Sequence, residues 1–561
     1  MVKSIDEKYI NEIYAYALEN ALIHGKAIEG VVLPKLFQHG LKKEEIGKVM
    51  LKIKEIVSKV NSMDLKDKEK LFESYKKFLK EKVEKEKGLK ELPNVSKKMV
   101  FRLAPFPSGG LHIGNTKTYL LNALYAEKYK GKIILMIDDT IGSEDKQIAI
   151  EAYSLIPEAF KWLGVNYKKP ILYKSDRLEI YYKYAEEIIK KGRAYVCSCS
   201  QEILRDNRAK GIECGCRQMP KNIQLKRWKE MFKAKQGDYI LRLKTSMRDP
   251  NPAFRDRVLF RISDRTHPRT GKKYRVWPLL EFSWAVDDHL LGITHIIRGK
   301  ELMIEGEMQK FIWDVFGWEH VEMIYTGLIK LGGIEGKLSK SKAQKEVRSG
   351  EYSGWDDPRT WSVQSLKRRG ILAESIREFV EEIGLNQNDI SVPIDSLYAI
   401  NRKKLDSKAD RYFFVEEPIK IEILNLTENI EKKEANIKVH PEKNKMKKVK
   451  IGKEIFVSMK DFVKFKGKEV RLMHLYNVLL NRKTKFTSEE NKQEIQKIHW
   501  VSNGLKTKVM MPDGIYVKGI AEDNIKSLKL GQVIQFERFG FVRFDKLNKN
   551  TKEYEFWFAH N

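Results

Sequence analysis

The sequence predicts a multidomain protein in which an α/β unit is followed by a β-rich one, and three observations carry that reading. An apolar run over 99–103, a glycine-rich turn and a helix-period pattern over 118–129 lead to a second apolar run, 133–137, which closes on Asp138 and Asp139. That succession is strand, turn, helix, strand: one βαβ crossover of an open parallel sheet, whose ligands bind at the carboxyl ends of the strands. From Asn401 onward the stretches 419–424, 470–475, 508–518 and 533–544 alternate apolar with polar and are rich in β-branched and aromatic residues, which suits strands of a barrel. Finally, 561 residues exceed what one core can organise and divide into several domains.

Ahead of the crossover, residues 1–95 carry helix-period patterns at 10–21 and 44–57 and then a charge run, 66–90. A helical appendage on a solvated linker is expected. With 42% hydrophobic and 33% charged residues the composition is that of a soluble globular protein. No run approaches the ~18 apolar residues of a membrane helix, and the polar start is no secretory signal, so no membrane association and a cytoplasmic location are expected. Lysine and arginine total 107 against 77 acids, a net charge of +30. A polyanionic partner, nucleic acid first, accounts for that excess; lysines decorating solvated helices are the alternative.

Within the turn, Pro105 and Pro107 restrict the backbone, while Ser108, Gly109 and Gly110 let it approach a neighbour closely. The helix that begins near His112 points its free amides and positive dipole end at whatever lies above, a place for a phosphate. The segment is neither the dinucleotide fingerprint nor a P-loop, since no Gly-Lys-Ser/Thr follows. Far downstream, after another glycine-rich turn, come Lys337, Leu338, Ser339, Lys340 and Ser341, small residues carrying mobile ammonium groups.

Only four cysteines occur, Cys197, Cys199, Cys214 and Cys216, as two Cys-x-Cys pairs in one short segment. Four thiolates so spaced suit a structural tetrahedral zinc rather than a disulfide framework. The polar stretch between the pairs, 200–213, is expected to be a loop. Beyond it, residues 237–244 alternate as a strand and 249–252 form a turn; Arg242, Lys244, Arg255 and Arg257 either face phosphates or decorate a solvated edge. A helix closing at Gly292 and a buried strand over 293–297 deliver Arg298 to a strand end.

The string RLAPFPSGGLHIGN, residues 102–115, resembles the HIGH signature of class I aminoacyl-tRNA synthetases in the form used by the glutamyl and glutaminyl enzymes, and KLSKS, residues 337–341, resembles their KMSKS loop. The resemblance implies that Pro105, Phe106, Pro107, Ser108, Gly109, Gly110, Leu111, His112, Ile113, Gly114 and Asn115 bind ATP together with the second loop. His112, Lys337 and Lys340 would stabilise the charge that builds as ATP activates a carboxylate, with magnesium. It further implies that Arg102, Asp138 and Arg298 bind glutamate, Asp138 taking the α-ammonium and the arginines the side chain. A guanidinium fork pairs with a carboxylate, whereas a glutamine amide would leave a buried cation unpaired. Departures from the family pattern are Asn115 for a second histidine, Met136 and Ile141 around Asp138, and Leu280 where a tyrosine would hydrogen-bond the substrate side chain.

Taken over the whole chain, the resemblance implies a helical appendage (1–95), a Rossmann-type catalytic domain in two parts (96–175 and 277–335), and an inserted acceptor-end-binding domain with the zinc knuckle (176–276). A signature loop with helical connector (336–400) and anticodon-binding β-barrels (401–561) complete it. The expected family is that of glutamyl-tRNA synthetases of the archaeal and eukaryotic branch. Its partners would be L-glutamate, ATP and tRNA(Glu), with tRNA(Gln) open as a second acceptor. A glutaminyl enzyme and a non-catalytic tRNA-binding paralogue are the alternatives.

Overall fold

The computed structural model describes residues 8–80, 88–143, 147–333, 340–426 and 434–561. It separates into two compact units, residues 1–87 and 88–561. The first unit contains helices α1 (Ile10–His24), α2 (Glu29–Leu36), α3 (Ile46–Ser62) and α4 (Leu65–Tyr75). Val49, Ile53, Ile56, Val57 and Val60 recur at helical spacing and give α3 one buried face. The charge run does not begin as a linker: α4 is capped by the Asp64 carboxylate, which accepts from the Asp67 amide at 2.8 Å, and Leu71, Phe72 and Tyr75 pack on this unit's core. Three apolar residues on one face are enough to dock an otherwise lysine-rich helix.

The second unit opens with β1 (Val100–Leu103), α5 (Ile113–Lys128), β2 (Lys132–Ile137), α6 (Ala152–Trp162) and β3 (Lys168–Tyr173). A segment then leaves the sheet as α7 (Leu178–Lys190), β4 (Ala194–Cys197), α8 (Gln201–Lys210), α9 (Lys221–Met231), β5 (Ile240–Leu243), β6 (Val258–Ile262) and β7 (Val276–Pro278). Strands β4 to β7 pair antiparallel in sequence order. The chain returns through α10 (Leu280–Leu290), β8 (His295–Gly299), α11 (Met303–Phe316) and β9 (Glu322–Thr326). The resulting parallel sheet has the order β3-β2-β1-β8-β9. From β1 the chain first builds outward to one side and later to the other, so β1 and β8 flank the switch point, where a crevice forms at the carboxyl ends.

Two more strands, β10 (Ile329–Gly332) and β11 (Ile390–Pro393), pair parallel. Between them lie α12 (Lys340–Arg348), α13 (Val363–Arg369) and α14 (Ala373–Ile383), and α15 (Ile394–Leu405) follows. The remainder is β-rich, with a six-stranded and a seven-stranded sheet, each over its own apolar core. In Pro418–Leu424, residues Ile419, Ile421 and Ile423 face in while Lys420 and Glu422 face out, the period-2 pattern that the sequence displays. The stretch 508–518 belongs to a hairpin of Gly504–Met510 with Tyr516–Glu522, turned at Gly514 with φ +86°. The last strand, Glu553–His560, is fastened to the connector by buried Arg369, which donates to the carbonyls of Phe558 (3.0 Å) and Ala559 (2.8 Å). Among the described residues no helix is long and apolar enough to cross a membrane.

Candidate active site

The turn after β1 is held from both sides. The Asp138 amide donates to the Pro105 carbonyl at 3.1 Å and the Ala149 amide to that of Pro107 at 2.9 Å, so the end of β2 positions the turn. On the other side, Ile113 donates to Trp361 (3.1 Å) and Val363 to Leu111 (2.7 Å), with His112 paired to Ser362 in a short antiparallel bridge. His112 is the extended N-cap residue of α5. The close approach that the glycines permit is to this same chain: a Cβ on Gly109, at φ +140°, would lie 2.0 Å from ring carbons of Trp355. That indole is anchored by its N–H to Glu151 at 3.0 Å. Asn115, in the first turn of α5, has a buried Oδ1 without a hydrogen-bond partner.

The second motif is only partly within view. Lys337, Leu338 and Ser339 lie outside the described residues, and Lys340 and Ser341 open α12. Arg348 at the end of that helix donates to Gln147 Oε1 at 2.7 Å, which fastens α12 to the segment following β2. The helix that follows the second motif is thus tied to the chain just beyond β2, whose carboxyl end positions the first.

Arg102 near the end of β1 and Arg298 near the end of β8 are both buried there. Arg102 donates through Nε and Nη2 to the two oxygens of Asp288. Gln309 Nε2 donates to Asp288 Oδ2 at 3.0 Å, and Arg298 Nη2 donates to Gln309 Oε1 at 2.6 Å. Arg298 is 4% exposed, yet its Nε and Nη1 have no hydrogen-bond partner among the described residues. Burial, and then the charge of Arg102, lower its guanidinium to about 10. This cation lacks an anion of its own.

Asp138 does not wait for an ammonium with its carboxylate free. Lys174, fully buried after β3, donates to Asp138 Oδ2 at 3.2 Å and to Ser283 Oγ at 2.7 Å, while Thr140 donates to Oδ1 at 3.1 Å. An incoming ammonium must share Asp138 with a resident one, and burial lowers the Lys174 pKa in the direction that eases such sharing. Lys174, Asp288, Gln309 and Trp284 escaped the sequence reading. Asp288 and Trp284 stand in the helix-period stretch before Arg298, where their spacing placed them on its helix without saying which face meets the strand ends. Ile141 is apolar for a visible reason: it packs into the core of the inserted segment.

In that segment the four cysteine sulfurs lie within 4.8 Å of one another, and Cys197 and Cys214 are 3.8 Å apart. A tetrahedron with zinc–sulfur bonds of about 2.3 Å has edges of about 3.8 Å, so the cluster fits that ion. Arg227 Nη1 is 3.5 Å from Cys216 and Arg242 Nη1 4.0 Å from Cys214, cations that offset the double negative charge of a zinc tetrathiolate. Between the cysteine pairs the expected loop is the helix α8, capped by Ser200 and closed by Gly211 at φ +72°. Of the four basic residues expected on a surface, Arg242 is buried, and Arg255 and Arg257 are half-buried with partners inside the chain. Arg242 donates to the Asp256 carbonyl at 2.9 Å, Arg255 to those of Asp249 (2.7 Å) and Arg208 (2.6 Å), and Arg257 pairs with Glu281 and Glu305. Carbonyls of the insert, and the carboxylates of Glu281 on α10 and Glu305 on α11, already engage them.

An open parallel sheet with the glycine turn at its carboxyl ends has the architecture of a class I tRNA synthetase catalytic domain. Residues 98–407 match the family model of the class I (E and Q) catalytic domain, and 409–500 and 470–545 match models of its anti-codon binding domain. Over 563 residues the chain is 42% identical to the glutamate–tRNA ligase of Pyrococcus furiosus, covering 95% of this chain and 97% of that one. It is 43% identical to the Pyrococcus abyssi ligase over 95% and 96% of the two chains, and 38% identical to the Methanocaldococcus jannaschii ligase over 98% and 99%. The chain belongs to the class I tRNA synthetases of the E and Q family.

The packing of Trp355 on the turn yields a test. Gly109→Ala is expected to destabilise the protein by about 2–5 kcal/mol, through backbone strain plus the ring clash, and Trp355→Ala in the same chain should recover part of the loss. Thermal unfolding of the single and double variants measures it; strictly additive losses would contradict the contact.

Proposed function

We propose that the chain charges tRNA with L-glutamate, using ATP and magnesium. A carboxylate oxygen of glutamate bonds to the α-phosphorus of ATP as pyrophosphate leaves, giving glutamyl-adenylate. A ribose hydroxyl of the terminal adenosine of tRNA then forms the ester and releases AMP. Binding the α-phosphate falls to the segment Pro105 to Asn115 at the start of α5, with His112 and the ammonium groups of Lys337 and Lys340 stabilising the charge that develops there.

The observation that carries the choice of glutamate is Arg298, whose buried Nε and Nη1 have no acceptor. A γ-carboxylate supplies the missing anion, while a carboxamide leaves the cation unpaired at a cost of several kcal/mol. Arg102 supports the same end of the pocket, and Asp138 receives the α-ammonium beside Lys174. The net charge of +30 suits a tRNA partner, with the inserted segment at the acceptor end and the C-terminal sheets at the anticodon. Magnesium arrives with ATP, and zinc, held by Cys197, Cys199, Cys214 and Cys216, stabilises the fold of the insert. Such an enzyme works in the cytoplasm.

Aminoacylation of purified tRNA(Glu) and tRNA(Gln) with each amino acid tests the assignment. Glutamate should be attached to tRNA(Glu), and glutamine to neither; preferential charging with glutamine would overturn it. Metal analysis of the purified chain should find one zinc, lost in Cys214→Ser; substoichiometric zinc in the wild-type chain would argue for reduced structural cysteines.

A further inference from the structure

Around the ring of Trp284, on α10, three cations converge from three different elements of the sheet. The Arg102 guanidinium of β1 lies 4.6 Å from the ring centroid, the Lys174 ammonium after β3 5.0 Å, and the Arg298 guanidinium of β8 5.3 Å. Only a side chain lying across the carboxyl ends of these strands can meet all three. Trp284 is 5% exposed, and its indole N–H has no acceptor among the described residues.

The donors nearby divide into those already engaged and those still unspent. Arg102 is held by Asp288, and Lys174 by Asp138 and Ser283. Arg298 gives Nη2 to Gln309. Unspent are Arg298 Nε and Nη1 and Trp284 Nε1, and an unmet buried donor costs more than an exposed one. Trp277 and Trp557 also have buried N–H groups without acceptors, but Trp277 stacks on His267 in the insert and Trp557 lies in the last strand of the chain. Neither touches the two pocket arginines. Leu280, one turn before Trp284 on the same helix, offers no donor.

From this geometry we infer that Trp284 is a glutamate-binding residue, its indole N–H donating to the side-chain carboxylate that Arg298 holds. The inference rests on the proposed glutamate specificity of the same pocket. A carboxylate has about four acceptor sites, enough for the guanidinium edge and the indole together. A carboxamide presents an NH2 on one side, which meets N–H donors with its own and leaves one of them unsatisfied. Trp284 therefore adds to the rejection of glutamine, besides forming the aromatic surface over which the cations sit.

Trp284→Phe removes the N–H and keeps an aromatic ring. Loss of one buried hydrogen bond to a charged group corresponds to about a 10- to 100-fold effect, so the KM for glutamate in tRNA charging should rise by that much. The preference for glutamate over glutamine should fall, with kcat and the KM for ATP nearly unchanged. Trp284→His, which restores a ring N–H, should recover part of the loss. An unchanged glutamate KM in Trp284→Phe would overturn the inference. A parallel rise in the ATP KM would also do so, since that is the mark of a collapsed site. A wild-type chain that charges no glutamate would remove the underlying specificity itself, and the inference with it.

Discussion

A guanidinium buried without an anion is among the costliest groups a fold can contain, and two arginines lie side by side at the centre of this sheet. One carboxylate, Asp288, serves Arg102 directly and Arg298 only through Gln309. The chain of contacts runs from β1 through α10 and α11 to β8, so the two halves of the catalytic sheet are tied at the switch point by charge as well as by strand pairing. What the tie leaves unpaired is Nε and Nη1 of Arg298. Much of the surrounding pocket is intelligible as support for that unpaired edge: Lys174 holds Asp138, and Trp284 spreads beneath all three cations.

The glycine turn after β1 is built differently, by steric closeness. Gly109 and Gly110 bring the turn against Trp355 and Gln364, and the backbone of 361–363 clasps Leu111 and Ile113. The segment that clasps the turn leads directly into α13, where Arg369 holds the last strand of the chain. The last strand of the chain and the glycine turn are thus linked through few intervening residues.

How much of this was legible beforehand depended on whether a local pattern encoded it. The crossover, the glycine turn and the β-rich C-terminal half follow from periodicity and composition, because period 2, period 3.6 and glycine clusters are local properties. The cysteine quartet was visible in spacing alone. Partners separated by hundreds of residues were not: nothing near Gly109 announces Trp355, and nothing near Asp138 announces Lys174. The partners of Arg242, Arg255 and Arg257 were hidden for the same reason, since their acceptors, from Arg208 to Glu305, become neighbours only in the folded chain. Residues 200–213 were expected as a loop because they are polar, yet good helix formers behind a serine cap override polarity.

The central claim is that the unpartnered edge of Arg298 selects a carboxylate. Charging of tRNA(Glu) by Arg298→Ala, with the concentration of glutamate varied, tests it most directly. Removing one partner of a buried charge pair costs about 2–5 kcal/mol, so kcat/KM for glutamate should fall by roughly 30-fold or more while the KM for ATP stays near its wild-type value. A glutamate requirement unchanged by the substitution would contradict the account.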